Sequence, residues 1–321
     1  MESKKRTVVI TGASSGAGRA IALEFARRGD RLVLASRNLA VLEEVADECR
    51  IFGAEVKYRE IDVTDYHAVL NLAAAADEFG GGIDVWVNNA GVLAVGAFDE
   101  TPMEVSTQVL QTNLLGYMHG AHAVLPYFKK QHRGILINNI SIGGFLAVPM
   151  GVAYSASKFG LRGFGQALKA ELAAYPDIFV CDAFPAFLDS PGIQHAANYT
   201  GKHLKPAPPV YDPVRLAQAI VGLADHPKKE KMVGSVSVLL RLSAGLLPTL
   251  TQYIAGTVIK GYLKKADPIP TTNGNIFNPV AYGNAVHGGW GVAGKPKAHR
   301  KYITGVAASL ALIAIVKIFG K

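Results

Sequence analysis

A glycine-rich turn between a strand and a helix near the N-terminus limits the fold of this chain more than any other feature. Residues 7–10, TVVI, form a short β-branched run, and residues 19–28 continue in helical rhythm. The segment between them, TGASSGAG at residues 11–18, is too rich in glycine and serine to belong to either element. A strand, a glycine turn and a helix in this order are typical of a nucleotide site in an α/β fold.

The composition of the turn fits an anion bound at its backbone. Gly12 allows a tight turn, and Gly16 and Gly18 allow a pyrophosphate to approach the main chain. The N-terminus of the following helix adds unpaired N–H groups and the positive end of its dipole. We expect five residues of the turn to contact a cofactor: Gly12, Ser14, Ser15, Gly16 and Gly18.

The second strand, residues 31–35, ends at the position where a dinucleotide fold reads the adenosine ribose. An acidic residue there would accept the free 2′-hydroxyl of NAD. Ser36 and Arg37 instead offer a hydroxyl and a guanidinium, and these groups suit a 2′-phosphate. The sequence therefore predicts NADP(H). The alternative is that Arg37 only begins the exposed helix at residues 38–50.

Two further strands end in residues that suit contact with the same cofactor. A third strand at residues 55–61 leads to Asp62 and Val63 at the adenine edge, and Asp65 is placed to cap the next helix. A fourth strand at residues 83–87 leads into small and amide-bearing residues. After the fourth strand we expect cofactor contacts at Asn89, Ala90 and Gly91.

A serine, a tyrosine and a lysine lie within residues 135–164. Tyr154 and Lys158 are spaced i, i+4 on a predicted helix, so both side chains project from one face. A lysine charge favours the phenolate and lowers the pKa of the tyrosine, which could then exchange a proton with an alcohol or carbonyl. Ser141 closes an apolar strand, at the end where open sheets bind ligands. Taken alone, a tyrosine and a lysine at this spacing are far more often an ordinary exposed pair on a helix, so the rest of the sequence has to decide.

A long helical stretch at residues 102–128 carries Asn113 within its apolar pattern. A buried amide is costly unless it is hydrogen-bonded, so Asn113 is a structural or relay candidate. His119 and His122 on the same stretch have a spacing compatible with a metal, but no Cys, Asp or Glu accompanies them. We expect no metal site.

Strands and helices alternate through Leu172, which predicts one parallel sheet with helices on both faces. A sixth strand at residues 178–184 leads to Pro185. Residues 185–212 are rich in Pro and Gly and lack periodicity. We interpret them as a lid or binding loop, with a disordered segment of no function as the alternative.

Five elements, taken in order, resemble the short-chain dehydrogenase/reductase family. The resemblance covers roughly residues 5–240. It rests on TGASSGAG at residues 11–18, NNAG at residues 88–91, Asn113, Ser141, and YSASK at residues 154–158.

This resemblance implies a Rossmann-type, doubly wound fold with a nicotinamide cofactor. It implies that Tyr154 is the general acid and base and that Ser141 holds the substrate oxygen. Lys158 would bind the nicotinamide ribose, and Asn113 would support a water in a proton relay. Pro185 would lie beside the nicotinamide, although it is followed by alanine where the family generally has glycine.

Charge is unevenly distributed along the chain. Residues 226–321 carry 13 Lys and Arg against 2 Asp and Glu, whereas residues 1–225 carry 20 against 23. This distribution argues against general nucleic-acid binding. It indicates that only the tail contacts an anionic surface of a partner. Two cysteines exclude a disulfide framework. The N-terminus leaves no room for the apolar region of a signal peptide, so we expect a reducing, cytoplasmic compartment.

We expect one catalytic domain at residues 1–240 and a C-terminal extension at residues 241–321. Two apolar stretches of the extension, residues 242–259 and 303–316, predict association with a membrane surface. The first stretch would lie at the membrane interface or form a helix at the substrate entrance. For the second, the alternative is a helix packed on the body or on a second copy in a homo-oligomer. Between them, residues 267–294 predict an irregular tether.

The sequence thus predicts an NADP(H)-dependent oxidoreductase that interconverts an alcohol and a carbonyl on an apolar substrate. One alternative is a non-catalytic protein that binds NADP to sense it. Another is an isomerase of the sugar-nucleotide kind, but such proteins carry TGxxGxxG where this chain has TGxxxGxG.

Overall fold

A seven-stranded parallel sheet forms the centre of the computed structural model, which describes residues 5–291. The order across the sheet is β3, β2, β1, β4, β6, β7, β9, and β5 and β8 form a separate two-stranded pair. The strands are β1 (Thr7–Thr11), β2 (Arg31–Ser36), β3 (Val56–Glu60), β4 (Val85–Asn88), β5 (Ala94–Val95), β6 (Gly134–Asn139), β7 (Ile178–Pro185), β8 (Ala197–Asn198) and β9 (Glu230–Val233).

Helices cover both faces of the sheet, as the sequence predicts. They are α1 (Gly16–Ala26), α2 (Leu39–Ile51), α3 (Tyr66–Gly80), α4 (Met103–Leu110), α5 (Gly116–Gln131), α6 (Val152–Glu171), α7 (Pro213–Asp225), α8 (Ser235–Leu246) and α9 (Pro248–Lys265). On one face, α1, α2 and α7 bury Phe25, Leu42 and Ile220. On the other face, α3 and α5 bury Leu72 and Phe128. The doubly wound Rossmann-type fold is confirmed.

The strand order reverses at β1. This strand pairs with β2 on one side and with β4 on the other, so that Val9 lies opposite both Val33 and Trp86. All five residues of β1 are buried, which explains its unbroken apolar run. Ligands of open α/β sheets bind at the carboxyl ends of the strands beside such a reversal. The glycine turn therefore begins at the favoured place for a cofactor.

The predicted helix at residues 102–128 is interrupted. A π-helical turn, Gln111–Leu115, joins α4 to α5, and it contains Asn113. Such turns are rare and frequently lie at functional sites. The predicted cap of α3 is confirmed, because Asp65 accepts a hydrogen bond from the Ala68 N–H at 3.1 Å.

The C-terminal extension differs from the prediction in two respects. The apolar stretch at residues 242–259 is divided between α8 and α9 at Leu247, because Pro248 begins a new helix. The irregular residues 267–291 are not a free tether, since they lie hydrogen-bonded on the sheet domain. None of the helices in residues 5–291 is long and apolar enough to cross a membrane. The stretch at residues 303–316 lies outside the described residues.

Candidate functional site

Steric crowding explains why the turn after β1 requires glycine. Gly12 has a φ of 67°, and a Cβ there would lie 2.7 Å from the Cα of Ala90. A Cβ on Gly18 would lie 1.9 Å from the carbonyl oxygen of Gly12. The side-chain amide of Asn89 donates to the carbonyls of Thr11 and Gly12, both at 3.1 Å. The turn and the end of β4 are thus packed so closely that residues with side chains would not fit at Gly12 and Gly18.

The N-terminus of α1 faces a cavity that the glycine turn also lines. Ser15 is its N-cap residue, and the side chain of Ser15 makes no capping hydrogen bond. Gly16 is the first helical residue and has a φ of 52°. The predicted turn residues all line this cavity, and so do Asn89, Ala90, Gly91 and Pro185. The residues at this end fit a pyrophosphate, because a helix N-terminus lies beside glycines that carry no side chain. The N–H of Gly16 already has a partner, since it donates to the Ala285 carbonyl at 3.0 Å.

At the far end of the cavity lie the residues predicted to read the adenosine. Ser36 and Arg37 follow β2, and Asp62 and Val63 follow β3. Asp62 stabilises its own turn, since one carboxylate oxygen accepts from the N–H and the hydroxyl of Thr64 at 2.9 and 2.8 Å. The Arg37 guanidinium donates to backbone carbonyls at residues 275–277. Arg37 is therefore tied to the C-terminal extension, which the sequence did not reveal.

Ser141, Tyr154 and Lys158 lie together on the cavity wall. Ser141 follows β6 with φ 111° and ψ 156°, a backbone region that is essentially restricted to glycine and costs about 1–3 kcal/mol. The Gly143 N–H donates to the Ser141 hydroxyl at 3.1 Å. Tyr154 and Lys158 are one turn apart on α6, and the Lys158 ammonium lies 5.6 Å from the centre of the Tyr154 ring. The sequence spacing thus brings the three side chains together as predicted.

The pKa of Tyr154 differs from the prediction. Burial raises this pKa above its ordinary value, and a hydrogen bond with Ser141 only partly offsets the effect. Burial also lowers the pKa of Lys158 to about 7, so near neutral pH its charge is only partly present. The predicted lowering of the Tyr154 pKa by Lys158 is not seen in the protein chain by itself, where desolvation sets the direction of the shift.

Asn113 has every part of its amide engaged. Its oxygen accepts from the Val92 N–H at 2.8 Å, and its nitrogen donates to the Val92 carbonyl at 2.9 Å and to the Ser157 hydroxyl at 3.3 Å. The residue is fully buried. These bonds tie the loop after β4 to α6 and account for an amide in an apolar helix, in agreement with the structural half of the prediction.

Tyr117 is a site residue that sequence reasoning missed. Its ring centre lies 5.2 Å from the Lys158 ammonium, and its hydroxyl donates to the carbonyl of Asn139 at 2.8 Å. The two histidines weighed as metal ligands have other partners. His119 contacts the Val63 carbonyl, and His122 contacts the Tyr66 hydroxyl, each at 2.8 Å.

The site residues open into one cavity of about 680 Å³. Away from the glycine turn its wall is mostly apolar, with contributions from the loop after β7 and from α8 and α9. Among the described residues, the cavity is lined by only four with charged side chains: Arg37, Asp62, Lys158 and Lys205. The apolar wall includes Leu146, Val148, Phe187, Leu239, Val258 and Leu263.

Comparison with known proteins agrees with this geometry. A sequence profile described as short chain dehydrogenase matches residues 6–199, which is more than half of the chain. The chain is a member of the short-chain dehydrogenase/reductase family. An uncharacterized oxidoreductase, YxnA, from Bacillus subtilis is 32% identical over 77% of this chain and 70% of its own length.

Two other similar proteins have more specific names. A 17-beta-hydroxysteroid dehydrogenase 13 from Mus musculus is 35% identical over 52% of this chain and 55% of its own length. An alcohol dehydrogenase from the archaeon Thermococcus sibiricus has been solved as a complex with 5-hydroxy-NADP. That structure aligns with a TM-score of 0.63 and 29% identity over 73% of this chain and 97% of its own. The chain is therefore an oxidoreductase of this family with the family's nicotinamide-binding fold.

Proposed function

We propose that this family member uses NADP(H) to interconvert an alcohol and a carbonyl on an apolar substrate. One observation carries the proposal. The cavity that begins at the glycine turn continues past Ser141, Tyr154 and Lys158 into an apolar chamber. A cofactor in the first part and a substrate in the second would meet at the three polar side chains.

The environment of Tyr154 suits proton donation. Because burial raises its pKa, the phenol is protonated at neutral pH and is able to protonate a carbonyl oxygen during reduction. The Ser141 hydroxyl would hold that oxygen, and Lys158 would orient the ribose beside it. The nicotinamide cofactor supplies the hydride when it is bound. Asn113 acts by positioning, since it fixes Val92 and α6 around the site.

Two observations support NADP(H) over NAD(H). Ser36 and Arg37 stand where an acidic residue would bind the 2′-hydroxyl of NAD. The archaeal alcohol dehydrogenase, a structural neighbour of this chain, was solved with an NADP derivative. For the substrate, the apolar wall supports a hydrophobic compound. The name of the mouse relative makes hydroxysteroids a reasonable first class to assay.

The deciding experiment is NADPH consumption by the purified protein with ketosteroids, retinoids, acyl thioesters and small ketones. Tyr154→Phe keeps the ring and removes the hydroxyl, so turnover should fall by at least about 10²-fold. NADPH binding, followed by fluorescence, should survive the substitution. A protein that binds NADPH but turns over no substrate would instead support the alternative of a non-catalytic NADP sensor. Unchanged turnover in Tyr154→Phe would disprove the assigned role of the tyrosine.

We further propose that α8 and α9 dock this enzyme on an anionic membrane surface. Residues 235–265 contain no Asp or Glu but carry Lys260, Lys264 and Lys265 near their end. Leu242, Leu246 and Tyr253 on these helices are 55%, 78% and 73% exposed. The same helices form part of the apolar cavity wall, so a substrate dissolved in lipid would have a short path to the site.

Vesicle co-sedimentation of the full chain tests this proposal. We expect binding to phosphatidylcholine vesicles that contain phosphatidylserine, weaker binding without phosphatidylserine, and weakening by salt. Leu246→Asp should reduce binding. Ile51→Asp is the matched control, because Ile51 is an apolar residue that is 81% exposed at the end of α2. Equal binding of the two variants would remove α8 and α9 from the interaction, and no binding by the native chain would refute it.

A further inference from the structure

Residues 267–291, called the strap below, cross the groove that the glycine turn and β2 form. The strap has no helix. It contacts the loop after β7, residues 185–212, through isolated β-bridges, such as the pairing of Thr272 with Asn198. Ile276 is fully buried in a cluster with Val92 and Val109. The strap is therefore an integral part of the cleft.

The contacts of the strap fall on the hydrogen-bond donors of the groove. The Gly16 N–H donates to the Ala285 carbonyl at 3.0 Å, and Arg19 donates to the Asn284 carbonyl at 2.8 Å. At the adenosine end, Arg37 donates to the Asn275 carbonyl at 2.5 Å. In all three cases the acceptor is a backbone carbonyl. The strap thus spans the groove from the helix N-terminus to the end of β2.

Contacts with the loop after β7 hold the other side of the strap. Asp189, on the loop after β7, accepts from the N–H groups of Gly288 and Trp290 at 3.2 and 2.7 Å. The Nε2 atom of His195 lies 3.0 Å from the Tyr282 carbonyl. Asp189 and His195 are both almost fully buried. The strap is thus held by the loop after β7 on one side and by the donors of the groove on the other.

The strap roofs the groove without filling it. Asn275, Pro279, Val280 and Asn284 line the same cavity as the glycine turn and Arg37. About 680 Å³ remains open beneath and beyond them.

We infer that the strap is a retaining lid for the cofactor, so that a bound dinucleotide leaves only when the strap opens. This inference rests on the proposed function, because it requires that NADP(H) occupies the groove. It also assigns a role to Arg37 beyond phosphate contact, since the guanidinium joins the strap to β2. The rival arrangement is a strap that inhibits the enzyme by competing for the donors of the groove.

Two glycines of the strap provide a matched pair of variants. Gly283 has a φ of 71°, and a Cβ there would lie 2.3 Å from Nε2 of His195. Gly289 has a φ of 78°, and a Cβ there would meet nothing within 4 Å. Both alanine variants carry similar backbone strain, but only Gly283→Ala forces the strap and the His195 ring apart. Neither residue belongs to the proposed catalytic or cofactor-binding set.

The test is the rate at which NADPH leaves the full-length protein when excess NADP⁺ displaces it in a stopped-flow fluorimeter. We expect release from Gly283→Ala to be about tenfold faster than from wild type, as for the loss of one or two hydrogen bonds, and release from Gly289→Ala to match wild type. Equal release from all three proteins would overturn the lid. Slower release together with tighter binding in Gly283→Ala would overturn it in favour of inhibition. Failure of the wild type to bind NADPH would instead refute the proposed function.

Hydrogen exchange of the wild-type protein is a second measurement that needs no variant. A lid predicts that NADPH slows exchange at the Gly288 and Trp290 amides, because the strap closes on the cofactor. Faster exchange on addition of NADPH would mean that the cofactor expels the strap, and the inference would be wrong. This result stands even if Gly283→Ala does not fold.

Discussion

The guanidinium of Arg37 donates to the carbonyl of Ile276 at 3.1 Å, across 239 residues of sequence. It also donates to the Asn275 and Phe277 carbonyls, and burial lowers its pKa. Since a guanidinium has five N–H donors, Arg37 retains donors for a phosphate while it holds the strap. Under the proposed preference for NADP(H), Arg37 would both bind the 2′-phosphate of the cofactor and hold the strap in position.

Arg37→Ala should weaken NADPH much more than NADH. A charge-assisted bond to the 2′-phosphate contributes about 1.5–3 kcal/mol, so the KM for NADPH should rise by roughly 10- to 100-fold. Steady-state kinetics with both cofactors measure the difference. If NADPH and NADH weaken equally, Arg37 acts only through the strap, and the prediction of NADP(H) specificity is wrong.

Gly120→Ala should destabilise the fold. A Cβ there would lie 2.3 Å from the Asn88 amide oxygen and 2.7 Å from the Trp86 indole nitrogen, two atoms that are hydrogen-bonded to each other in the core. Overpacking of this kind lowers the free energy of unfolding by about 1–3 kcal/mol. Urea denaturation followed by circular dichroism measures the change.

Gly163→Ala is the control for this helix substitution. Gly163 lies within α6, and a Cβ there would meet nothing within 4 Å. Alanine in a helix is more stable than glycine by about 0.5–1 kcal/mol, so this variant should be slightly stabilised. If both variants change stability alike, the crowding at Gly120 has no energetic effect.

Lys158 should make stability depend on pH in the alkaline range. Its pKa falls from 10.5 to about 7 in the folded chain because of burial. Between these values the unfolded chain binds a proton that the folded chain does not, so the free energy of unfolding rises with pH. Wild type should therefore gain stability from pH 7 to 9.5 relative to Lys158→Met in thermal or urea unfolding. Parallel curves for the two proteins would contradict the shifted pKa.

Both cysteines should be unreactive in the native protein. Cys49 and Cys181 are buried, and burial raises their pKa values to about 12 and about 11. A thiolate is the reactive form, so a thiol reagent at pH 8 should modify neither residue before unfolding. Two thiols should react in urea. Rapid labelling of the native chain would show that these sites open locally.

The sheet domain could be predicted from the sequence because its central strands are buried on both faces. Such strands leave unbroken apolar runs, as in β1, and each run is followed by a recognisable turn or helix. β9 was missed because it has no such apolar run: EKMV at Glu230–Val233 is short and charged. It lies at the edge of the sheet, where exposure tolerates such residues.

The candidate site was predictable only where side-chain spacing encodes it. The i, i+4 spacing of Tyr154 and Lys158 and the strand-end position of Ser141 were sufficient to bring these residues together. The direction in which the pKa of Tyr154 shifts could not be predicted, because desolvation depends on all the three-dimensional surroundings of the side chain. The strap left no signal either. It is held largely by its main-chain carbonyls and N–H groups, which every sequence provides.

The bond from Arg19 to the Asn284 carbonyl joins positions 265 residues apart. At ~5–20 residues per second, synthesis separates the two by on the order of tens of seconds. A nascent chain therefore exposes its completed glycine turn to the surrounding solution well before the covering segment exists. Under the lid inferred above, the order of translation would give each new molecule one interval in which a dinucleotide enters without any opening step.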